Sequence, residues 1–233
     1  MQIAPRKPLV VGSFGDPCSL ASADPEAVRG ACDLVEVRLD LMSAGEASGR
    51  PWRHLGDAPL LFTARRGSEG GGGELSADER RERLTAVLDD ASLVDLEVAS
   101  IAEMEGLIQR LGELGIPWIG SYHDFRRVPP IAELSAARDR ARRAGAVAFK
   151  AALELGWDGG QLGPLGLFLS QAPDYPVSLM GMGPLAPVSR LYFAQLGSVL
   201  NYGYLGSTPT APGQWSALQL KAAIDSVERE REA

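Results

Sequence analysis

Short apolar runs rich in β-branched residues recur along the whole chain, each separated from the next by a stretch with helical signals. The runs are LVVGSF (9–14), DLVEVRLD (33–40), PLLFTAR (59–65), LVDLEV (93–98), PWIGSYHDF (117–125), AVAFKAAL (146–153), PVSLMGMG (176–183) and, more weakly, SVLNYGYLG (198–206). Strands that alternate with helices in this way, within 233 residues, predict an α/β fold. The expected form is one (β/α)8 TIM barrel spanning residues 1–233 as a single domain. An open doubly wound sheet is the alternative. No G-x-G-x-x-G follows the first run, which weakens a dinucleotide-binding version of it. EGGGGE (69–74) reads as a mobile loop, too short to link two domains.

Helix boundaries between the runs carry their own signals. Asp24 before Pro25 is an N-cap followed by the residue best suited to the first helical position. SADE (76–79) is a capping box opening a helix toward Asp90. Residues 101–114 and 131–144 have helical periodicity and end near Gly115 and Gly145. Residues 215–232 predict a final amphipathic helix.

Charge and composition narrow the function. A net charge of −7 argues against a nucleic-acid-binding surface. No apolar run reaches the ~20 residues of a membrane span. The start of the chain lacks an apolar signal segment with a small-residue cleavage site, so a cytoplasmic protein is expected. Cys18 and Cys32 are the only cysteines, and His54 and His123 the only histidines. A zinc site is improbable from so few ligands, and the expectation is no metal and no cofactor.

The placement of one lysine is the sharpest chemical clue. Of 23 Lys and Arg residues only Lys7, Lys150 and Lys221 are lysine, and Lys150 lies in the middle of an apolar run. Guanidinium stays protonated, whereas an amine can lose its proton and become a nucleophile. Desolvation in an apolar strand favours that loss. Other polar residues fall late in their strands: Glu36 with Arg38, Arg65, Asp95 with Glu97, and Ser121 with His123. Residues i and i+2 share a strand face, so a barrel gathers these at its C-terminal mouth, where active sites form. Each also has a plainer reading. Glu36 and Arg38 could be a buried ion pair, and Asp95 and Glu97 structural. His123 could be a core histidine, Arg65 and Arg66 a solvated edge, and Lys150 a snorkelling surface residue. His54 reads as a surface or helix residue. Taken together the residues suit imine chemistry: a neutral amine attacks a ketone, the iminium acidifies the neighbouring carbon, and His123 supplies the base. An arginine fork would hold an anionic substrate group.

Assembled in order, the motifs resemble those of the type I 3-dehydroquinate dehydratase family. They are EVRLD (36–40), FTAR followed by SEGG (62–71), DLE (95–97), SYHD (121–124), FKAA (149–152), MG followed by SR (181–190) and APGQ (211–214). The resemblance implies a (β/α)8 barrel and a metal-free dehydration of 3-dehydroquinate to 3-dehydroshikimate in the shikimate pathway. By the same match Lys150 forms the Schiff base, His123 is the general base and acid, and Glu69 orients His123. Glu36, Arg38 and Arg65 bind ring hydroxyls or line the pocket, Arg190 holds the substrate carboxylate, and Gln214 belongs to a closing loop. Homodimers are common in the family. The chain departs from the family pattern in its longer Gly run, in Thr210 where serine is usual, and in Trp118 where an aliphatic is usual. Two other readings compete. A class I aldolase-type barrel would also use a lysine on strand six, with a phosphate cradle near MGMGPLAPVSR. A barrel that only binds a metabolite would not be expected to keep Lys150, His123, Glu69 and Arg190 together.

Overall fold

The computed structural model describes residues 3–171, 174–211 and 213–232. Eight parallel strands form a single sheet: β1 (Leu9–Phe14), β2 (Leu34–Arg38), β3 (Leu60–Thr63), β4 (Leu93–Glu97), β5 (Trp118–Asp124), β6 (Ala148–Glu154), β7 (Val177–Met182) and β8 (Leu200–Leu205). They pair in the order β7-β6-β5-β4-β3-β2-β1-β8, every neighbour parallel. The barrel closes across β7 and β8 with little backbone pairing. Val199 N–H donates to the Val177 carbonyl at 3.0 Å, and Leu179 N–H donates to Ser198 Oγ at 3.0 Å. The Ser178 hydroxyl donates to the Leu200 carbonyl. Serine hydroxyls thus do at the seam what a strand ladder does elsewhere. The expected (β/α)8 architecture is the one observed.

The helices are α1 (Pro17–Ala21), α2 (Pro25–Ala31), α3 (Ala44–Ser48), α4 (Ala77–Thr85), α5 (Glu105–Leu114), α6 (Ile131–Arg143), α7 (Leu162–Ser170), α8 (Ala186–Gln195) and α9 (Ala217–Glu232). Their caps follow the sequence signals. Asp24 accepts from the backbone of Glu26 and Ala27, Ser76 and Glu79 cap each other reciprocally, and Gly115 takes a left-handed conformation at φ 66°. Two helices are shorter than their periodicity suggests. α4 stops at Thr85 and yields to a 3-10 turn at Leu88–Asp90, and α5 begins only at Glu105, after turns that bring Ser100 against Arg80. α7 and α8 have no charged face, so no amphipathic period marks them. Among the described residues no helix is long and apolar enough to cross a membrane.

Strand alternation divides the buried residues into two sets. One, including Phe62, Val94, Phe149 and Leu179, lies between the sheet and the helices. The other, including Val11, Leu34, Leu61, Leu93, Ile119, Ala148 and Leu200, fills the barrel itself. Two residues beyond each of these interior positions the chain places Ser13, Glu36, Thr63, Asp95, Ser121, Lys150 and Tyr202. The period of two along a strand carries them to the same interior face, one layer nearer the C-terminal mouth. A dry apolar floor therefore underlies a polar layer.

The last helix docks where β8 lacks a side chain. A Cβ on Gly203 would stand 2.5 Å from the Ala217 Cα and 2.6 Å from its N. Both obstacles are backbone and cannot rotate away. Gly203→Ala is expected to cost ~1–3 kcal/mol of stability by overpacking. A wild-type denaturation midpoint for that variant would show that α9 docks otherwise.

Candidate active site

Asp95 on β4 is the hub of the polar layer. Its carboxylate accepts two bonds from the Arg65 guanidinium, at 2.9 and 3.1 Å, one from Lys150 Nζ at 2.9 Å and one from the Ser121 hydroxyl at 2.5 Å. All four residues are buried. Burial alone would raise the Asp95 pKa, but Arg65 and then Lys150 reverse this and hold the carboxyl far below the usual range. Arg65 also donates to Glu97 at 2.9 Å, and Glu97 in turn accepts from Arg80 at 2.9 Å. The plainer reading of Arg65 as a solvated edge is thus excluded, while Arg66 beside it is half-buried.

Lys150 on β6 is 4% exposed. Burial lowers its pKa, Asp95 pulls it back up and Arg65 pushes it down, with a net value below the ordinary 10.5. The amine therefore loses its proton more readily than a surface lysine would. Its nitrogen lies over the Tyr202 ring, 4.0 Å from the centroid.

His123 sits one strand away, two residues beyond Ser121, which stands opposite Lys150. The register puts amine and imidazole in successive layers of neighbouring strands. Glu69, in a 3-10 turn at Gly67–Glu69, accepts from both the His123 backbone N–H and ring Nδ1 at 3.0 Å. Burial, then Arg65 and Lys150, push the imidazole well below 6.5, so it is neutral near pH 7. Burial and then Glu97 push Glu69 up to about 7. With Nδ1–H donated to a Glu69 carboxylate, Nε2 keeps its lone pair and can accept a proton.

The remaining expected residues line the same cavity, of about 70 Å³, which includes Lys150, His123 and Glu69. Glu36 accepts from Ser13 at 2.5 Å and Thr63 at 2.9 Å. Arg38 bonds Asp40 twice, at 2.9 and 2.6 Å, and donates to the Gly70 carbonyl. Glu36 and Arg38 therefore do not form the ion pair that their spacing suggested. The strand ends at Arg38, and the following 3-10 turn swings Asp40 back onto it. Asp40 also accepts from the backbone of Arg65 and Gly72. Within the Gly run these bonds hold the Gly70 carbonyl and the Gly72 N–H; a Cβ on Gly71 would overlap the Arg65 carbonyl and one on Gly72 would overlap Leu41.

Arg190 reaches the cavity from α8. It is 1% exposed, donates from Nη1 to the Tyr202 carbonyl at 2.9 Å, and its Nε has no partner among the described residues. Burial lowers its pKa to about 10. Thr210 donates from both N and Oγ1 to Gln214 Oε1, at 2.8 and 2.9 Å, which folds the loop at the cavity mouth. Pro212, inside the APGQ motif, lies outside the described residues. His54 is exposed and its ring contacts the carbonyls of Pro51 and Ala23, apart from this site. Among the described residues no three His, Cys, Asp or Glu side chains converge to hold a metal. Tyr202, Phe125, Met180 and Asp40 were not singled out from sequence. The first three line the cavity, and Asp40 anchors Arg38 beside it.

A (β/α)8 barrel with titratable groups of shifted pKa at its C-terminal mouth is built as a barrel enzyme. A type I 3-dehydroquinase family model matches residues 16–231. The chain is 34% identical over 223 residues to 3-dehydroquinate dehydratase of Methanothrix thermoacetophila, covering 94% of this chain and 92% of that one. It is 31% identical to the Neisseria gonorrhoeae protein of the same name, covering 84% and 82%. The fold superposes on the 3-dehydroquinate dehydratase structure from Geobacillus kaustophilus with a TM-score of 0.85 at 24% identity, over 98% and 97% of the chains. This chain belongs to the type I 3-dehydroquinase family.

Asp95→Asn would leave Arg65 and Lys150 buried beside a neutral amide, a loss expected to cost ~3–5 kcal/mol at pH 7. Because the native Asp95 pKa is depressed, its contribution is complete above the unfolded value of 3.8 and fades as the pH falls below it. Urea denaturation should therefore show the variant's deficit at pH 7 shrinking toward pH 3. A deficit that does not change with pH would mean that the carboxylate charge is not what stabilises.

Proposed function

We propose that the protein dehydrates 3-dehydroquinate to 3-dehydroshikimate, as a cytoplasmic shikimate-pathway enzyme, through an imine at Lys150. The observation that carries this reading is the convergence of a buried amine of lowered pKa and a neutral imidazole on one cavity. The chain's membership of the 3-dehydroquinase family supports the choice of substrate. Arg190, a buried guanidinium with no carboxylate partner among the described residues, takes the substrate carboxylate. The Lys150 amine adds to the ring ketone, the carbinolamine loses water, and an iminium remains. His123 Nε2 removes the proton from the adjacent carbon, and the electrons move into the enamine. The enamine expels the β-hydroxyl, which leaves as water with the proton that His123 returns. Hydrolysis of the product imine frees Lys150. Glu36 and Arg38 face the ring hydroxyls, Arg65 holds the field around the amine through Asp95, and Thr210 with Gln214 covers the substrate.

The aldolase-type alternative needs a phosphate cradle after β7. There a Cβ on Gly183 would lie against the Glu154 carboxylate and the Leu155 carbonyl. An anion and a carbonyl repel phosphate, so this turn favours the dehydratase reading.

Incubation with 3-dehydroquinate and borohydride, followed by peptide mass mapping, should place a reduced adduct on Lys150. Lys150→Ala should abolish turnover. Lys221→Ala, which removes only an ion pair to Asp33, should leave it intact. Product formation with no trapped adduct would sink the imine. His123→Ala should slow turnover by about 10²–10⁴-fold.

The acid limb of kcat/KM gives a further test. Glu69 has a raised pKa, so it takes up a proton as the pH falls through about 7. A protonated Glu69 donates to Nδ1 and leaves the hydrogen on Nε2, where the base should be. Activity should fall below about pH 7, and in Glu69→Gln this limb should move acidward on a lower plateau. An identical limb in the variant would assign the titration to another group.

A further inference from the structure

Three groups of Tyr202 stand in three different states. Its carbonyl accepts from Arg190, its ring face lies 4.0 Å from Lys150 Nζ, and its hydroxyl has no hydrogen-bond partner among the described residues. The side chain is 4% exposed and borders the cavity. A buried hydroxyl without a partner is destabilising. Phenylalanine would supply the same ring, the same packing and the same backbone carbonyl to Arg190 without that cost. The hydroxyl is therefore unexplained by the folded chain alone.

The geometry points to a ligand as its missing partner. We propose that the Tyr202 hydroxyl donates a hydrogen bond to the oxygen on the carbon that Lys150 attacks, while the Tyr202 ring face holds the lysine nitrogen in its cationic forms. The proposal rests on the imine reading above. The nitrogen is seated over the ring, and Tyr202 lines the cavity, so substrate binding would bring an oxygen on the carbon bonded to that nitrogen toward the hydroxyl at the ring's end. When the amine adds, the ketone oxygen becomes the carbinolamine hydroxyl and accepts from the phenol. The carbon–oxygen bond then breaks, the oxygen leaves as water with the proton that His123 took from the Lys150 ammonium before the amine attacked, and the nitrogen lone pair closes the C=N bond. The phenol keeps its own proton throughout. Burial, and then Glu36 and Asp95, raise its pKa well above 10, against the opposing pull of Arg65 and Arg38. The ring face stabilises the ammonium and the iminium alike, since both put positive charge on the same atom.

Two variants separate the two parts. Tyr202→Phe keeps the ring and removes the hydroxyl. It should lower kcat/KM for 3-dehydroquinate roughly five- to tenfold. It should slow the single-turnover appearance of the borohydride-trapped adduct by the same factor. Its thermal midpoint should stay level or rise, because a buried hydroxyl without a partner has gone. Wild-type kcat/KM and trapping rate would overturn the proposal, as would a lowered midpoint, which would make the hydroxyl structural. Tyr202→Leu also removes the π face and should trap less adduct than Tyr202→Phe at equal substrate; equal yields would overturn the ring's part. If the wild-type enzyme turns over without trapping any adduct, the imine reading itself fails. A trapped wild-type adduct with an unchanged Tyr202→Phe rate defeats only the role given to Tyr202.

Discussion

The Asp95 carboxylate, bonded at once to Arg65 and Lys150, is the interaction on which the rest of the site depends. Two cations buried side by side would repel each other and pay a large desolvation cost. One anion between them makes the arrangement possible, and its strength is divided. Arg65 takes both carboxylate oxygens, and Lys150 takes one. The amine is thus held in position without being fully neutralised by its partner. Burial and the Arg65 charge can then lower its pKa, a balance that a private Lys–Asp pair would have tipped the other way.

The barrel makes this balance possible by sorting residues in layers. Leu93, Ile119 and Ala148 close the floor, and two residues later Asp95, Ser121 and Lys150 stand above it. No water-filled channel is needed to dissolve the charges, because each finds its partner across one or two strands. Ser121 lies opposite Lys150 in register and donates to Asp95 on the next strand. The network is therefore set by strand register, and a one-residue slip would turn its members outward.

How much of this could be read from the sequence depends on where each residue lies. Lys150 was legible because arginine is preferred almost everywhere else in the chain, and because alternation within a strand is a strong local rule. The strand set and the barrel were legible for the same reason. Glu69 was not legible from pattern: it reaches His123 from 54 positions away, out of a 3-10 turn that has no periodicity. Only the family match pointed to it. The Glu36–Arg38 spacing misled because Asp40, in the turn that ends the strand, competes for the guanidinium from two residues further on. Tyr202 looked like ordinary strand packing, since nothing in one sequence tells a satisfied hydroxyl from an orphaned one. Arg190 lies on a helix without a charged face, and its meaning appears only when its surroundings are known.

Those surroundings set Arg190 apart from the other basic groups around the cavity. Arg38 has Asp40, Arg65 has Asp95 and Glu97, and Lys150 has Asp95, whereas among the described residues Arg190 bonds one backbone carbonyl and no carboxylate. A guanidinium buried this way is poorly compensated, and burial depresses its pKa accordingly. An arriving carboxylate would meet a donor already stripped of water and held in place by β8. Such a donor binds more strongly than a hydrated one, because its desolvation was completed when the chain folded. The same strand residue that holds Arg190 by its carbonyl seats Lys150 on its ring. Tyr202 thereby fixes the distance between the Arg190 guanidinium and the Lys150 amine.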